Sequence, residues 1–173
     1  MVGLKKGASP MSMSPEEALR RLQSTELEML AVFKEWANEN NITWFVDSGT
    51  CLGAVRHGGF IPWDDDIDIG IPRNDYNHML ELSKKNFPKG YSIHTSEDEG
   101  FTSLFCKMYA DGTEFSTEQT MESGCKQSIF LDLFPYDYLP ENNNSQRTQE
   151  RTCANCQRMM YLFHLKNITV PHS

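Results

Sequence analysis

Nine residues, Trp63-Asp64-Asp65-Asp66-Ile67-Asp68-Ile69-Gly70-Ile71, constrain this chain more than any others. Ile67, Ile69 and Ile71 alternate with Asp66, Asp68 and Gly70, the pattern of a half-buried strand, and Pro72 ends it. Side chains on a strand alternate faces, so Asp66 and Asp68 share one, with Cα atoms ~6–7 Å apart. Asp64 joins them if the strand extends that far, whereas Asp65 points away and is not expected to be a ligand. Carboxylates crowded on one face repel each other, and a hard cation between them reverses that cost. Mg²⁺ or Mn²⁺, held by carboxylates and by the phosphates of a substrate, is the expected cofactor. Two blander readings compete. A solvated acidic loop would not need Trp63 and three isoleucines threaded through it. A calcium loop of the EF-hand kind would match Asp64, Asp66 and Asp68, but it wants Gly where Ile69 stands and Glu where Asp75 stands.

The flanking residues predict how this strand is embedded. Ser14-Pro15-Glu16-Glu17 reads as a helix start with a capping box, after a polar lead-in over residues 1–13 expected to be disordered. Leu19, Leu22, Met29, Leu30, Phe33, Trp36 and Ala37 continue at helical spacing to Asn38–Asn41, where Asn serves as a C-cap. Ile42 to Val46 reads as a strand, Asp47-Ser48-Gly49-Thr50 as a turn, and Cys51 to His57 as a short helix stopped by Gly58-Gly59. Gly49 would let backbone approach a ligand, and the helix start would offer free N–H groups to phosphate. Arg56 and His57 are candidates to meet phosphate or a polar donor group, with surface solvation as the plainer reading.

Downstream, Asn74 to Lys85 reads as a helix and Tyr91 to Thr95 as a strand. Leu104 to Ala110 and Thr113 to Thr117 read as a hairpin about Asp111-Gly112. Ser128 to Phe134 is a strand carrying Asp132, and Gln146 to Lys166 is a helix. The order predicts an α/β (α+β) domain with a mixed sheet flanked by helices, one domain over residues 14–173.

Charge and cysteines narrow the function classes. The net charge of −8 argues against duplex nucleic acid as a partner, since such binding draws on Lys and Arg. It does not disfavour a nucleotide, because a bound divalent cation reverses the local sign. Five scattered cysteines predict no disulfide framework and a reducing compartment. No signal peptide or membrane span is legible, so a cytoplasmic protein is expected, with peripheral association at the inner face of a membrane. For the same reason the Asn167-Ile168-Thr169 sequon is discounted as a glycosylation site. Cys153 and Cys156 share a helix face and are expected to pack rather than bind zinc. Trp44, Phe45 and Phe130 are expected in the core. Trp63 and Tyr109 could stack on a base, but structural roles are the plainer reading. Met159 to Phe163 is expected to be a core-facing helix end or, in a chain that stops short, an exposed patch.

From Phe45 to Gly70, through Val46-Asp47-Ser48-Gly49-Thr50, Val55-Arg56-His57-Gly58-Gly59 and Ile61-Pro62-Trp63-Asp64-Asp65-Asp66-Ile67-Asp68, the sequence closely resembles the core of the LicD/fukutin family. Ser128 to Asp137 is similar to that family's second block, and together the similarity covers roughly residues 25–140. The resemblance implies a nucleotidyltransferase-like fold. It also implies transfer of phosphocholine or a related phospho-alcohol, such as phosphoribitol, from a CDP-linked donor such as CDP-choline. The acceptor would be a glycan hydroxyl, lipid-linked or part of a cell-surface polysaccharide, lipopolysaccharide or teichoic acid. It maps the metal carboxylates onto Asp64, Asp66, Asp68 and Asp132, with Asp66, Asp68 and Asp132 catalytic. Ser48, Gly49, Thr50 and Arg56 fall on the donor side. Ser48 stands where many members carry Gly. Members of the family typically continue well beyond the point where this chain stops, so part of the acceptor side is expected to lie outside it. Two alternatives remain: a nucleotidyltransferase that releases pyrophosphate, and a catalytically inactive nucleotide- or metal-binding module.

Overall fold

The structure, a computed structural model, describes residues 13–98, 101, 103–115 and 127–164, with side chains through Met159. The first helix, α1, runs Pro15–Glu39. Ser14 Oγ accepts from the Glu17 amide at 3.2 Å, so half of the expected capping box forms. Glu17 spends its own carboxylate on Arg21, one turn on, at 3.3 Å. At the other end Asn41 takes a left-handed φ of 56°, which Asn tolerates better than most residues.

Among the described residues five strands form one mixed sheet: β1 (Phe45–Val46), β2 (Asp68–Pro72), β3 (Tyr91–His94), β4 (Cys106–Ala110) and β5 (Phe130–Tyr136), in the order β1-β2-β5-β4-β3. Only β2 and β5 run parallel; the other pairs are antiparallel. Helix α2 (Ser48–His57) links β1 towards β2, and α3 (Arg73–Ser83) follows β2 directly. The last helix, α4, spans Asn143–His164.

Strand alternation sorts the sheet into two chemically different faces. Ile69, Ile71, Cys106, Met108, Leu131 and Leu133 join Met29, Phe33 and Ala37 of α1 and Tyr76 and Met79 of α3 in one buried cluster. Trp36 closes its edge, stacking edge-on with Phe87 at 4.8 Å and donating its indole N–H to the Asn86 carbonyl. The opposite face of the same strands carries Asp68, Asp132 and Lys107.

Several expected elements differ in extent, each for a local reason. The strand expected over Ile42–Val46 shrinks to two residues. Ile42 instead seals the end of α1 through a 2.9 Å bond from its amide to the Ala37 carbonyl, and the Thr43 amide is taken by Asp75. Helix α2 starts three residues earlier than expected, at Ser48. It ends as expected at Gly58, whose φ of 66° is left-handed. Gly53 is required inside it: a side-chain carbon there would lie 2.5 Å from the Gly59 carbonyl oxygen and 2.9 Å from the Ile61 amide, so the loop after α2 folds back onto the helix.

The expected hairpin of Leu104–Ala110 with Thr113–Thr117 does not form among the described residues. The Asp111-Gly112 turn is present, with φ 79° at Gly112, but β4 spends its two edges on β3 and β5. Thr113 turns back onto Ala110 and caps the start of β5 through Ile129. Residues 116 and 117 lie outside the described residues, as do Cys125, the lead-in through residue 12 and the sequon.

Cys153 and Cys156 are exposed on α4, correcting the expectation that they pack; Met159 is exposed as well, the second of the two readings of that helix end, and the side chains of residues 160–163 lie outside the described set. Phe130 is buried as expected, Trp44 is partly buried against the core, and Phe45 is 39% exposed at the sheet edge. Trp63 projects into solvent, while Tyr109 is buried and stacked on His94 at 4.4 Å, a structural position. Among the described residues no helix is long and apolar enough to cross a membrane.

Candidate metal centre

A single row of side chains crosses three strands. Asp68 on β2 stands opposite Asp132 on β5, and Asp132 stands opposite Lys107 on β4. Asp66 reaches the same place from the loop ahead of β2. Carboxylate oxygens of Asp66, Asp68 and Asp132 all lie within 4.8 Å of one another, and among the described residues these three form the group able to hold one metal ion.

The loop arrangement corrects one expectation. The strand does not extend back to Asp64: a turn bond from the Asp64 amide to the Ile61 carbonyl follows Pro62, and pairing begins where the Asp132 amide reaches the Ile67 carbonyl. Shared strand alternation therefore does not place Asp64 beside Asp66. Asp64 is instead aimed at the start of α2, where a side-chain carbon on Gly49 would lie 2.7 Å from its Oδ2. That oxygen is buried and accepts no hydrogen bond from the described residues. Gly49 does permit a close approach, as read from the sequence, but the group that approaches is the Asp64 carboxylate, at a helix end whose free amides favour an anion.

The start of α2 also sets the position of Asp68. Thr50 Oγ1 accepts from the Asp68 amide at 2.8 Å, and the Asp68 carbonyl accepts from the Asp47 amide at 3.0 Å. Both backbone polar groups of Asp68 are thus tied to the N-cap and first turn of α2. Asp47 accepts in addition from the Tyr136 hydroxyl. Ser48 is exposed with a left-handed φ of 45°, a conformation that favours glycine. Arg56 is exposed in the last turn of α2, about 10 Å along the axis from Gly49 at 1.5 Å per residue. The structure therefore brings together Ser48, Gly49, Thr50, Asp64, Asp66, Asp68 and Asp132, and sets Arg56 at the far end of the helix.

Three residues went unread in the sequence. Glu26 is 1% exposed and falls in the buried stripe of α1, four residues after Leu22 and three before Met29. Its Oε2 has no hydrogen-bond partner among the described residues. Burial, reinforced by Asp66, Asp65, Asp132 and Asp64, pushes its carboxyl up to about 9, so it is protonated at neutral pH. One turn earlier Gln23 donates to the Asp64 carbonyl at 2.8 Å and pins the acidic loop to α1. Lys107 lies with Nζ 2.7 Å from Asp132 Oδ1 and 3.4 Å from the Phe130 ring centroid. The signals were faint: one acid filling a gap in an apolar helix stripe, and one lysine inside an otherwise apolar strand.

The electrostatics fit a cation. Burial raises Asp68 to about 6, with Asp66 and Asp132 adding to it, and raises Asp66 and Asp132 as well; Lys107 works against the rise at Asp132. A crowded, half-desolvated set of hard oxygen donors is unfavourable by itself and favourable around a small divalent ion.

The profile of the family described as "LicD/FKTN/FKRP, nucleotidyltransferase domain" matches residues 41–170. The lipopolysaccharide cholinephosphotransferase LicD of Haemophilus influenzae is 33% identical over 124 residues, 70% of this chain and 45% of that protein. An uncharacterized protein of Rickettsia prowazekii is 46% identical over 59 residues, 34% of this chain and 22% of its own length. The human ribitol 5-phosphate transferase FKRP is 33% identical over 69 residues, 40% of this chain and 13% of that protein. The chain thus spans less than half the length of each of these relatives.

Proposed function

The chain belongs to the LicD/FKTN/FKRP nucleotidyltransferase-domain family, and on that footing we propose that it carries the donor-binding core of a phospho-alcohol transferase. The group transferred is phosphocholine, phosphoribitol or a close analogue, the donor is CDP-linked, and the acceptor is a glycan hydroxyl of a cell-surface polymer. The observation that carries this reading is the convergence of Asp66, Asp68 and Asp132 within the matched domain. The printed activities of the Haemophilus and human relatives, cholinephosphotransferase and ribitol 5-phosphate transferase, supply the phospho-alcohol class.

Asp66, Asp68 and Asp132 would hold Mg²⁺ or Mn²⁺, which when bound neutralises charge on the donor's diphosphate. The chain's own residues do the rest. Thr50 and Asp47 fix the backbone of Asp68. The amides at the start of α2 offer donors to an anionic oxygen. Asp132, whose carboxyl is raised by burial with Lys107 working against the rise, takes the proton of the acceptor hydroxyl. A new acceptor O–P bond then forms, the phosphoanhydride bond to CMP breaks, and CMP departs.

The test is product analysis with CDP-choline, CDP-ribitol and CTP. Metal-dependent release of CMP from a CDP-alcohol is expected, and Asp66→Ala should abolish it with an unchanged circular dichroism spectrum. Pyrophosphate from CTP would identify nucleotidyl transfer instead. Wild-type turnover by Asp66→Ala in metal-replete buffer would remove the aspartate cluster from the mechanism.

A further inference from the structure

We infer that Lys107 stands in for a second cation, so that the Asp66, Asp68 and Asp132 site takes one divalent ion rather than two. The inference rests on the metal reading above and specifies its stoichiometry.

Lys107 is built into the site rather than draped over it. It is the cross-strand neighbour of Asp132 in the β4–β5 ladder. Its side chain and that of Asp132 are each only 10% exposed, with Nζ 2.7 Å from Oδ1. The ammonium also lies over the Phe130 ring at 3.4 Å from the centroid and beside Phe105 at 5.6 Å. A buried ammonium is costly unless paired, and here a carboxylate and the face of an aromatic ring compensate it. The two rings and the strand backbone leave it little freedom to withdraw.

Two-cation sites in group transfer hold their ions about 4 Å apart, one on each side of the reacting phosphorus. A second ion on Asp132 Oδ1 would meet the Lys107 ammonium already at hydrogen-bonding distance from that oxygen. Within the set of three carboxylates, the Lys107 ammonium already offsets one of the three charges, while Asp64 and Asp65 add to the field at Asp66. Lys107 is a positioning residue in this scheme: it acts through Asp132, holding that carboxylate's orientation and charge.

Counting bound Mn²⁺ tests this without any turnover. The metal-free chain is titrated with Mn²⁺, and free ion is followed by electron paramagnetic resonance. One Mn²⁺ per wild-type chain is expected. Lys107→Gln, checked for folding by circular dichroism, should bind two, and Lys107→Arg should return to one. Two Mn²⁺ in the wild type, or one in a folded Lys107→Gln, would overturn the inference while leaving the metal reading standing. No Mn²⁺ bound by the wild type would overturn both. A wild-type count of two overturns the inference whether or not a variant folds.

Discussion

At the scale of single residues, the site is held by groups that never need to touch a ligand. Thr50 is the clearest case. Read from sequence it belonged to a phosphate-side turn, and the structure gives its hydroxyl to the amide of Asp68. Orienting partners of metal ligands commonly contribute 10–100-fold to metal affinity. Thr50→Val keeps the shape of the side chain and removes the acceptor, so Mn²⁺ affinity should fall by roughly 10–100-fold. Thr50→Ser should restore most of it. Equal affinities for the valine variant and the wild type, measured by the same titration, would mean that Asp68 is positioned by the strand alone.

At the scale of elements, α1 supplies more than a hydrophobic lid. Its buried stripe ends on Glu26, and its Gln23 holds the loop that carries Asp64 to Asp66. Glu26 gives this helix a pH signature. Its ordinary value is 4.5 and its folded value about 9. Between those limits the folded chain keeps a proton that the unfolded chain has released. Stability of the metal-free protein must therefore fall as pH rises through this window. Asp68, raised from 3.8 to about 6, and Asp66 and Asp132, also raised, contribute the same sign, so the share of Glu26 is the part of the slope that replacing its carboxyl removes. Glu26→Gln should flatten the melting temperature against pH over that range and raise it at pH 8. A variant with the wild-type slope would show that Glu26 ionises freely in the fold.

At the scale of the whole molecule, the features set by local pattern were legible and those set by distant neighbours were not. The alternation of isoleucine and aspartate predicted one face for Asp66 and Asp68, and their carboxylates do meet, although Asp66 comes from the loop ahead of β2; Ser14-Pro15 and Gly58 gave helix ends. Asp132 came into view through family resemblance, and the β2–β5 register then places it opposite Asp68. Among the described residues the hairpin about Asp111-Gly112 does not form, because the turn chemistry is local while the partners of β4 lie elsewhere in the sequence. Asp64 joins the site by another route than strand alternation, because the turn from Ile61 to Asp64 decides where its carboxylate points. Lys107 and Glu26 escaped because a buried charge is explained only by what faces it, and their partners are far away in the chain.

The central claim is that Asp66, Asp68 and Asp132 bind a divalent ion that recruits a nucleotide-linked donor. Titration calorimetry of the chain with CDP-choline, CDP-ribitol and CTP, with and without Mg²⁺, meets it most directly. Binding of a CDP-alcohol only when Mg²⁺ is present, and its loss in the Asp66→Asn, Asp68→Asn double variant, is the predicted result. Absence of Mg²⁺-dependent binding to all three nucleotides, or its persistence in the double variant, would contradict it.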